Sequence, residues 1–151
     1  GAQAWVKAHK DKLPKIANLF NRDGGPEPPV GISVPQAMYD DFVKISEPIQ
    51  KIRPDYPFEV KVREPRKRPT RMGGTDASVF AIEGVPTLGF TTEDFKGYDF
   101  DYGEIWHTER DLYTKNIPEY QEHTATVTAI IALGVANLDK QLSREGLYTE
   151  E

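Results

Sequence analysis

Asp23 and His107 are the residues of this chain whose types and surroundings point most directly to chemistry. A carboxylate oxygen and an imidazole nitrogen are both donors that a divalent zinc ion takes in a roughly tetrahedral shell. Each residue sits beside small or turn-forming neighbours, Asp23 in Asn21-Arg22-Asp23-Gly24-Gly25 and His107 in Ile105-Trp106-His107-Thr108, and each falls at a predicted strand end, where a side chain can face a cleft. No local ligand pair such as His-x-x-x-His accompanies either. From residue type alone, a turn-capping aspartate and a hydrogen-bonded histidine therefore stand as alternatives. His9 and His123 fall among polar neighbours on predicted helices and read as solvated or locally bonded. No serine lies in a Gly-x-Ser-x-Gly elbow, no phosphate-cradling glycine loop follows a strand, and there is no cysteine to supply a thiolate or a disulfide.

The elements that must position these residues alternate between helix and strand. Residues 2–10 read as a helix with an apolar stripe through Ala4, Trp5 and Ala8, broken at 11–14. Ile16–Phe20 and Val30–Val34 read as strands, with Asp23 at or just past the end of the first. Pro35 sits where a helix begins, and Met38, Phe42, Ile45, Ile49 and Ile52 recur at helical spacing, with Pro48 as a possible kink. Phe58–Val62 alternates apolar and charged residues at period two, the pattern of a strand with one wet face. A helix over 77–82, capped by Thr75 or Asp76 and closed by Gly84, precedes a strand at 85–90, an aromatic and acidic loop at 94–104, and a helix from Pro118 to about Leu142. Tyr120, Val127, Ile130, Ile131 and Leu138 mark the buried side of that last helix. The alternation predicts an α/β layered sheet with functional loops at strand ends.

Composition limits the partners. The chain has 151 residues, 38% of them hydrophobic and 28% charged, enough for one folded domain. A net charge of -5 argues against nucleic acid and anionic membranes. The basic run Arg63, Arg66, Lys67, Arg68 and Arg71 is interrupted by Pro65 and Pro69 and carries no aromatic residue to stack on bases, so it reads as a solvated loop. No apolar run approaches the ~20 residues that span a bilayer. The chain opens on a helical pattern without an initiating Met, which reads as a piece of a longer protein.

Four motifs in order carry a resemblance: Asn21 to Gly25; Gly73-Gly74-Thr75-Asp76-Ala77-Ser78-Val79-Phe80; Glu83-Gly84-Val85-Pro86-Thr87-Leu88-Gly89-Phe90; and Ile105-Trp106-His107-Thr108-Glu109-Arg110-Asp111. Together they resemble the zinc exopeptidases related to bacterial leucyl aminopeptidase and aminopeptidase Y, over about residues 2–140. The resemblance implies a layered α/β/α mixed sheet, of which residues 1–151 are the C-terminal portion with the N-terminal portion absent. It makes Asp23 and His107 zinc ligands of a two-zinc site, Asp76 part of the substrate-pocket wall and Asp111 a supporting residue. The family's usual histidine after the Thr-Asp pair is Ala77 here. The general-base glutamate and the other ligands are expected upstream, so the resemblance implies a fragment that does not hydrolyse peptides alone. It also implies a peptide substrate, a secreted or periplasmic location, and possible self-association through the surface left by the missing half. Carboxypeptidase and glutaminyl cyclase relatives, and metal-free relatives that serve as binding domains, share the pattern.

Overall fold

The computed structural model describes residues 1–149. Its five α-helices and three strands are α1 (Ala2–Ala8), β1 (Pro29–Val34), α2 (Tyr39–Ile52), β2 (Glu59–Val62), α3 (Ala77–Ile82), β3 (Phe90–Thr92), α4 (Tyr102–Ile105) and α5 (Pro118–Ala136), and α5 is the longest helix. β1 is the middle strand of a mixed sheet in the order β2-β1-β3. It runs parallel to β2, with Ile32 opposite Val60 and Val34 opposite Val62, and antiparallel to β3, with Ile32 opposite Phe90. A parallel pair needs a crossover connection, and α2 supplies it. Gly31 is required in β1 because a Cβ there would lie 2.4 Å from the Glu59 carbonyl oxygen of the neighbouring strand.

The main core joins Ile32 and Val34 of β1 to Phe42, Ile45 and Ile49 of α2 and to Val127 and Ile131 of α5. Each such side chain contributes roughly 1.5–3 kcal/mol when fully buried, which is why the helical spacing of these residues dictates which faces meet. Pro48 lies inside α2 without ending it. Ile52, last of that periodic series, is left largely exposed. A smaller core fastens α1 to α3 through Val6, Leu13, Val79, Phe80 and Val85. Here the expected stripe through Ala4, Trp5 and Ala8 is corrected, because Val6 is the buried residue of α1 and those three are exposed. Burial of Val6 against α3 outweighs the alanines, which have little apolar area to hide.

Two predicted strands do not form ladders. Residues 16–20 and 85–89 lie side by side as extended chain, joined by Leu19 N–H to the Pro86 carbonyl at 2.9 Å. Pro86 has no N–H to return, and the Asn18 side chain takes both backbone groups of Leu88, accepting from its N–H at 2.8 Å and donating to its carbonyl at 3.2 Å. A side-chain amide thus replaces the ladder. The last helix stops at Ala136 rather than near Leu142, its end bonded through Asn137 N–H to the Leu133 carbonyl at 3.0 Å.

The basic run is not simply solvated. Arg68 donates from Nε (2.8 Å) and from its terminal nitrogen (2.6 Å) to the Ile82 carbonyl at the end of α3, a cation placed where a helix C-terminus favours it. Arg66 donates to Thr87 Oγ1 and lies over the Tyr148 ring.

Candidate active-site cleft

An open cleft of about 970 Å³ runs between the loop after residue 20, the Gly74–Thr75 turn, the segment around α4 and the first turns of α5. Asp23, His107 and Asp111 all line it. The topology therefore brings three of the four singled-out residues to one concavity. Asp76 is not among its lining residues; the wall on that side is Gly74 and Thr75. Asp76 occupies the cap position of α3 without a side-chain cap bond, and the local bond is Ser78 Oγ–H to the Thr75 carbonyl at 2.7 Å.

Neither donor sits at a strand end. Asp23 belongs to a loop, where Asn21 Nδ2 donates to its Oδ2 at 2.7 Å and steadies the carboxylate. Arg22 ties the same loop by donating to the carbonyls of Gly25, at 2.7 Å, and of Glu27. His107 follows α4, a single turn that Asp101 caps by accepting from Gly103 N–H at 2.8 Å. Thr108 pins the following turn, its hydroxyl within 3.0 Å of the Ile105 carbonyl and 3.1 Å of the Glu104 carbonyl, and accepting from Arg110 N–H at 3.2 Å. His107 itself is held at φ +56°, in the left-handed region that costs a side-chain-bearing residue of order 1 kcal/mol or more. Its ring lies 4.5 Å from that of Trp106. Strain of this kind persists where surrounding contacts over-determine it, and it concentrates at functional positions.

The loop over 94–104 is anchored from behind by α5. Tyr120 Oη–H donates to Asp94 Oδ1 at 2.7 Å while accepting from Lys96 N–H at 2.9 Å; burial, then the Asp94 carboxylate, pushes its phenol up to about 12. Glu119 receives Lys96, Tyr56 and Tyr98, and the Lys96 ammonium, followed by the Tyr56 hydroxyl, holds its carboxyl below the usual range. His123 was expected to be solvated or locally bonded, yet it is fully buried, stacked 4.0 Å from the Tyr56 ring with Nε2 3.2 Å from the carbonyl of the sequence-distant Pro29. Its polar sequence neighbours misled because His123 lies on the buried face of the helix with Tyr120, Val127 and Ile131, while Glu122 points to solvent.

Sequence reading passed over Gln121 and Thr124, which line the cleft from α5, and Tyr102, which lines it from α4. Only the aromatic density of residues 95–106 hinted at the last.

An imidazole and a carboxylate on one cleft suit zinc in donor type. In number they do not: among the described residues no three His, Cys, Asp or Glu side chains gather closely enough to hold a metal ion.

A mixed sheet flanked by helices, with a cleft assembled from its connecting loops, makes this an α/β fold whose candidate site is built on loops. A family model described as Peptidase family M28 matches residues 1–131, and the chain belongs to that family. It is similar to the crystal structure of a Peptidase M28 precursor from Shewanella amazonensis, with 22% identity and a TM-score of 0.67, over 95% of this chain. The match takes in 29% of that protein's chain, so this chain spans under a third of its length. No curated protein matches the chain.

Proposed function

We propose that the cleft is part of the active site of a zinc exopeptidase, an aminopeptidase of the leucyl aminopeptidase and aminopeptidase Y branch, acting on peptides. Asp23 and His107 serve as metal ligands, Asp111 as a supporting carboxylate, and the Gly74–Thr75 turn as pocket wall. The observation that carries the reading is the meeting of Asp23, His107 and Asp111 on one cleft, with His107 held in a strained backbone conformation. A zinc ion held by Asp23 and His107 together with further ligands would supply Lewis-acid chemistry there. What this chain's own residues do is hold a carboxylate and an imidazole at fixed positions and wall the substrate with Thr75, Tyr102 and Trp106.

Two donors are fewer than a closed tetrahedral shell uses. The remaining ligands and the proton-accepting carboxylate therefore come from outside the described residues, and the chain alone is expected to be inert. A secreted or periplasmic location goes with this reading, supported by the precursor status of the Shewanella protein.

The test is zinc content and leucyl-anilide hydrolysis of a longer protein containing this chain, beside its Asp23→Ala and His107→Ala variants and the chain itself. Loss of metal and activity in both variants, with an inert chain, supports the split site. Full activity in either variant removes that residue and favours a metal-free, peptidase-like binding domain.

A further inference from the structure

Asp23 is the only aspartate in the chain followed by glycine, and no asparagine is. At an Asp-Gly peptide the backbone nitrogen reaches the preceding side-chain carboxyl most readily, because glycine carries no Cβ to crowd the approach. Closure gives a five-membered succinimide. The attack needs a nitrogen not committed to a hydrogen bond and a backbone able to rotate about the aspartate Cα–C bond, and regular secondary structure denies both. Asp40 and Asp41 are held in this way inside α2, and the N–H groups after Asp55 and Asp111 are bonded to the Arg53 and Arg110 carbonyls at 3.1 and 2.8 Å.

Around Asp23 the reacting groups are open. Residues 21–28 lie outside helix and strand, and Asp23 and Gly24 are both exposed. Among the described residues nothing accepts the Gly24 N–H, and of the Asp23 carboxyl only Oδ2 is held, by Asn21 Nδ2. A Cβ added at Gly24 would find nothing nearer than Arg22 Nη1 at 3.9 Å. The bonds that order the loop fall on carbonyls instead: Arg22 donates to those of Gly25 and Glu27, and Tyr102 Oη–H, on α4, donates to that of Asp23 at 2.9 Å. A donor on the Asp23 carbonyl draws charge from the Asp23–Gly24 amide and makes its N–H easier to ionise.

We infer that the Asp23–Gly24 peptide is a modification site, at which the folded chain converts spontaneously to isoaspartate. The Gly24 nitrogen forms a bond to Asp23 Cγ, and one carboxyl oxygen departs as water with the proton from that nitrogen and one from the medium. Water then opens the ring and the proton returns to the medium. Opening at Cγ restores aspartate; opening at the former main-chain carbonyl leaves the chain running through Cβ, one atom longer. No reactant other than water is needed. The carbonyl that Tyr102 holds becomes the free carboxylate, so ageing remakes a loop that lines the cleft. The effect on peptide hydrolysis rests on the function proposed above; the isomerisation does not.

The test is peptide mapping by mass spectrometry after the full chain has stood for weeks in warm neutral buffer, beside Gly24→Ala and a synthetic peptide of residues 19–29 as the free-chain reference. Isoaspartate keeps the mass of aspartate and is told apart by electron-transfer fragmentation, while the succinimide is lighter by one water. Isoaspartate is expected at Asp23 before any other aspartate, at a rate within about tenfold of the free peptide, as follows if the fold adds no more than ~1.4 kcal/mol to the barrier. The rate is expected to fall at least about tenfold in Gly24→Ala, whose Cβ crowds the nitrogen. The same substitution in the peptide gives the crowding effect free of any change in fold. Asp23 unaltered in the folded chain while the peptide isomerises overturns the inference, as does isomerisation that appears first at another aspartate or proceeds equally in both Gly24→Ala forms. In a longer protein that hydrolyses peptides, activity that survives complete isomerisation at Asp23 overturns instead the ligand role proposed for that residue and leaves the modification standing.

Discussion

Acidification from pH 7 toward pH 5 is expected to destabilise this chain, and His123 is the group responsible. Its ring is 0% exposed, its Nε2 faces the Pro29 carbonyl at 3.2 Å, and its Nδ1 has no hydrogen-bond partner. The arrangement suits the neutral ring with the proton on Nε2. A second proton would add a charge out of reach of water and a donor at Nδ1 with nothing to receive it. Burial is the main cause that holds the imidazolium form back; the Pro29 carbonyl opposes it, Arg53 and Lys96 add to it, and Asp55 opposes it. The folded value therefore lies below the unfolded one, about 6.5. The unfolded chain takes up the proton first, so His123 leaves stability at its full value above that pH. Stability then declines as the pH falls from the unfolded value to the folded one, with a slope approaching ~1.4 kcal/mol per pH unit for one proton. Glu119 acts in the same direction but at lower pH: its carboxyl is held down, so its contribution is lost as the pH falls from the unfolded value, about 4.3, toward the folded one, and the two declines begin at different pH. The assay is urea unfolding at half-unit steps from pH 7.5 to 5, for wild type and His123→Gln, comparing slopes rather than absolute stabilities. A flat wild-type profile, or the same slope in the variant, refutes the argument, as does an NMR titration that puts His123 at or above its unfolded value.

Two further outcomes test the packing and the open surface. Gly134→Ala places a methyl 2.4 Å from Ile45 Cγ2 across the α2–α5 contact; overpacking costs about 1–3 kcal/mol against a helix-propensity gain of about 1, so a net loss of roughly 1 kcal/mol is expected in urea unfolding. The loss should largely vanish in an Ile45→Ala background, and stabilisation of the otherwise wild-type chain would show that the helices separate freely. We also propose that the chain self-associates through its exposed apolar surface at Leu133, 65% exposed on α5, rather than through the edge of β2, where Glu59 and Lys61 discourage strand pairing. Sedimentation velocity should show association that Leu133→Glu reverses, and a strict monomer at every concentration ends that idea.

The legible parts of the fold were those with a strong period. Phe42, Ile45 and Ile49 announce α2, the alternation over 58–62 announces β2, and Pro118 with Val127 and Ile131 announces α5, because each apolar face repeats at the period of its own backbone. Residues 16–20 and 85–89 have the composition of strands, but a ladder needs a partner able to exchange hydrogen bonds at every second residue. Pro86 and the Asn18 side chain remove that exchange, which no local pattern discloses.

The candidate site divides in the same way. Residue type and motif order were enough to single out Asp23, His107 and Asp111, since the donor chemistry of a carboxylate or an imidazole belongs to the residue wherever it sits. That the three share a cleft, that Asp76 lies outside its lining, that His107 is held at φ +56° and that Tyr102 grips the Asp23 carbonyl are decisions of the tertiary structure. They depend on contacts between segments far apart in the chain, where loop closure and packing rather than local propensity determine which groups meet.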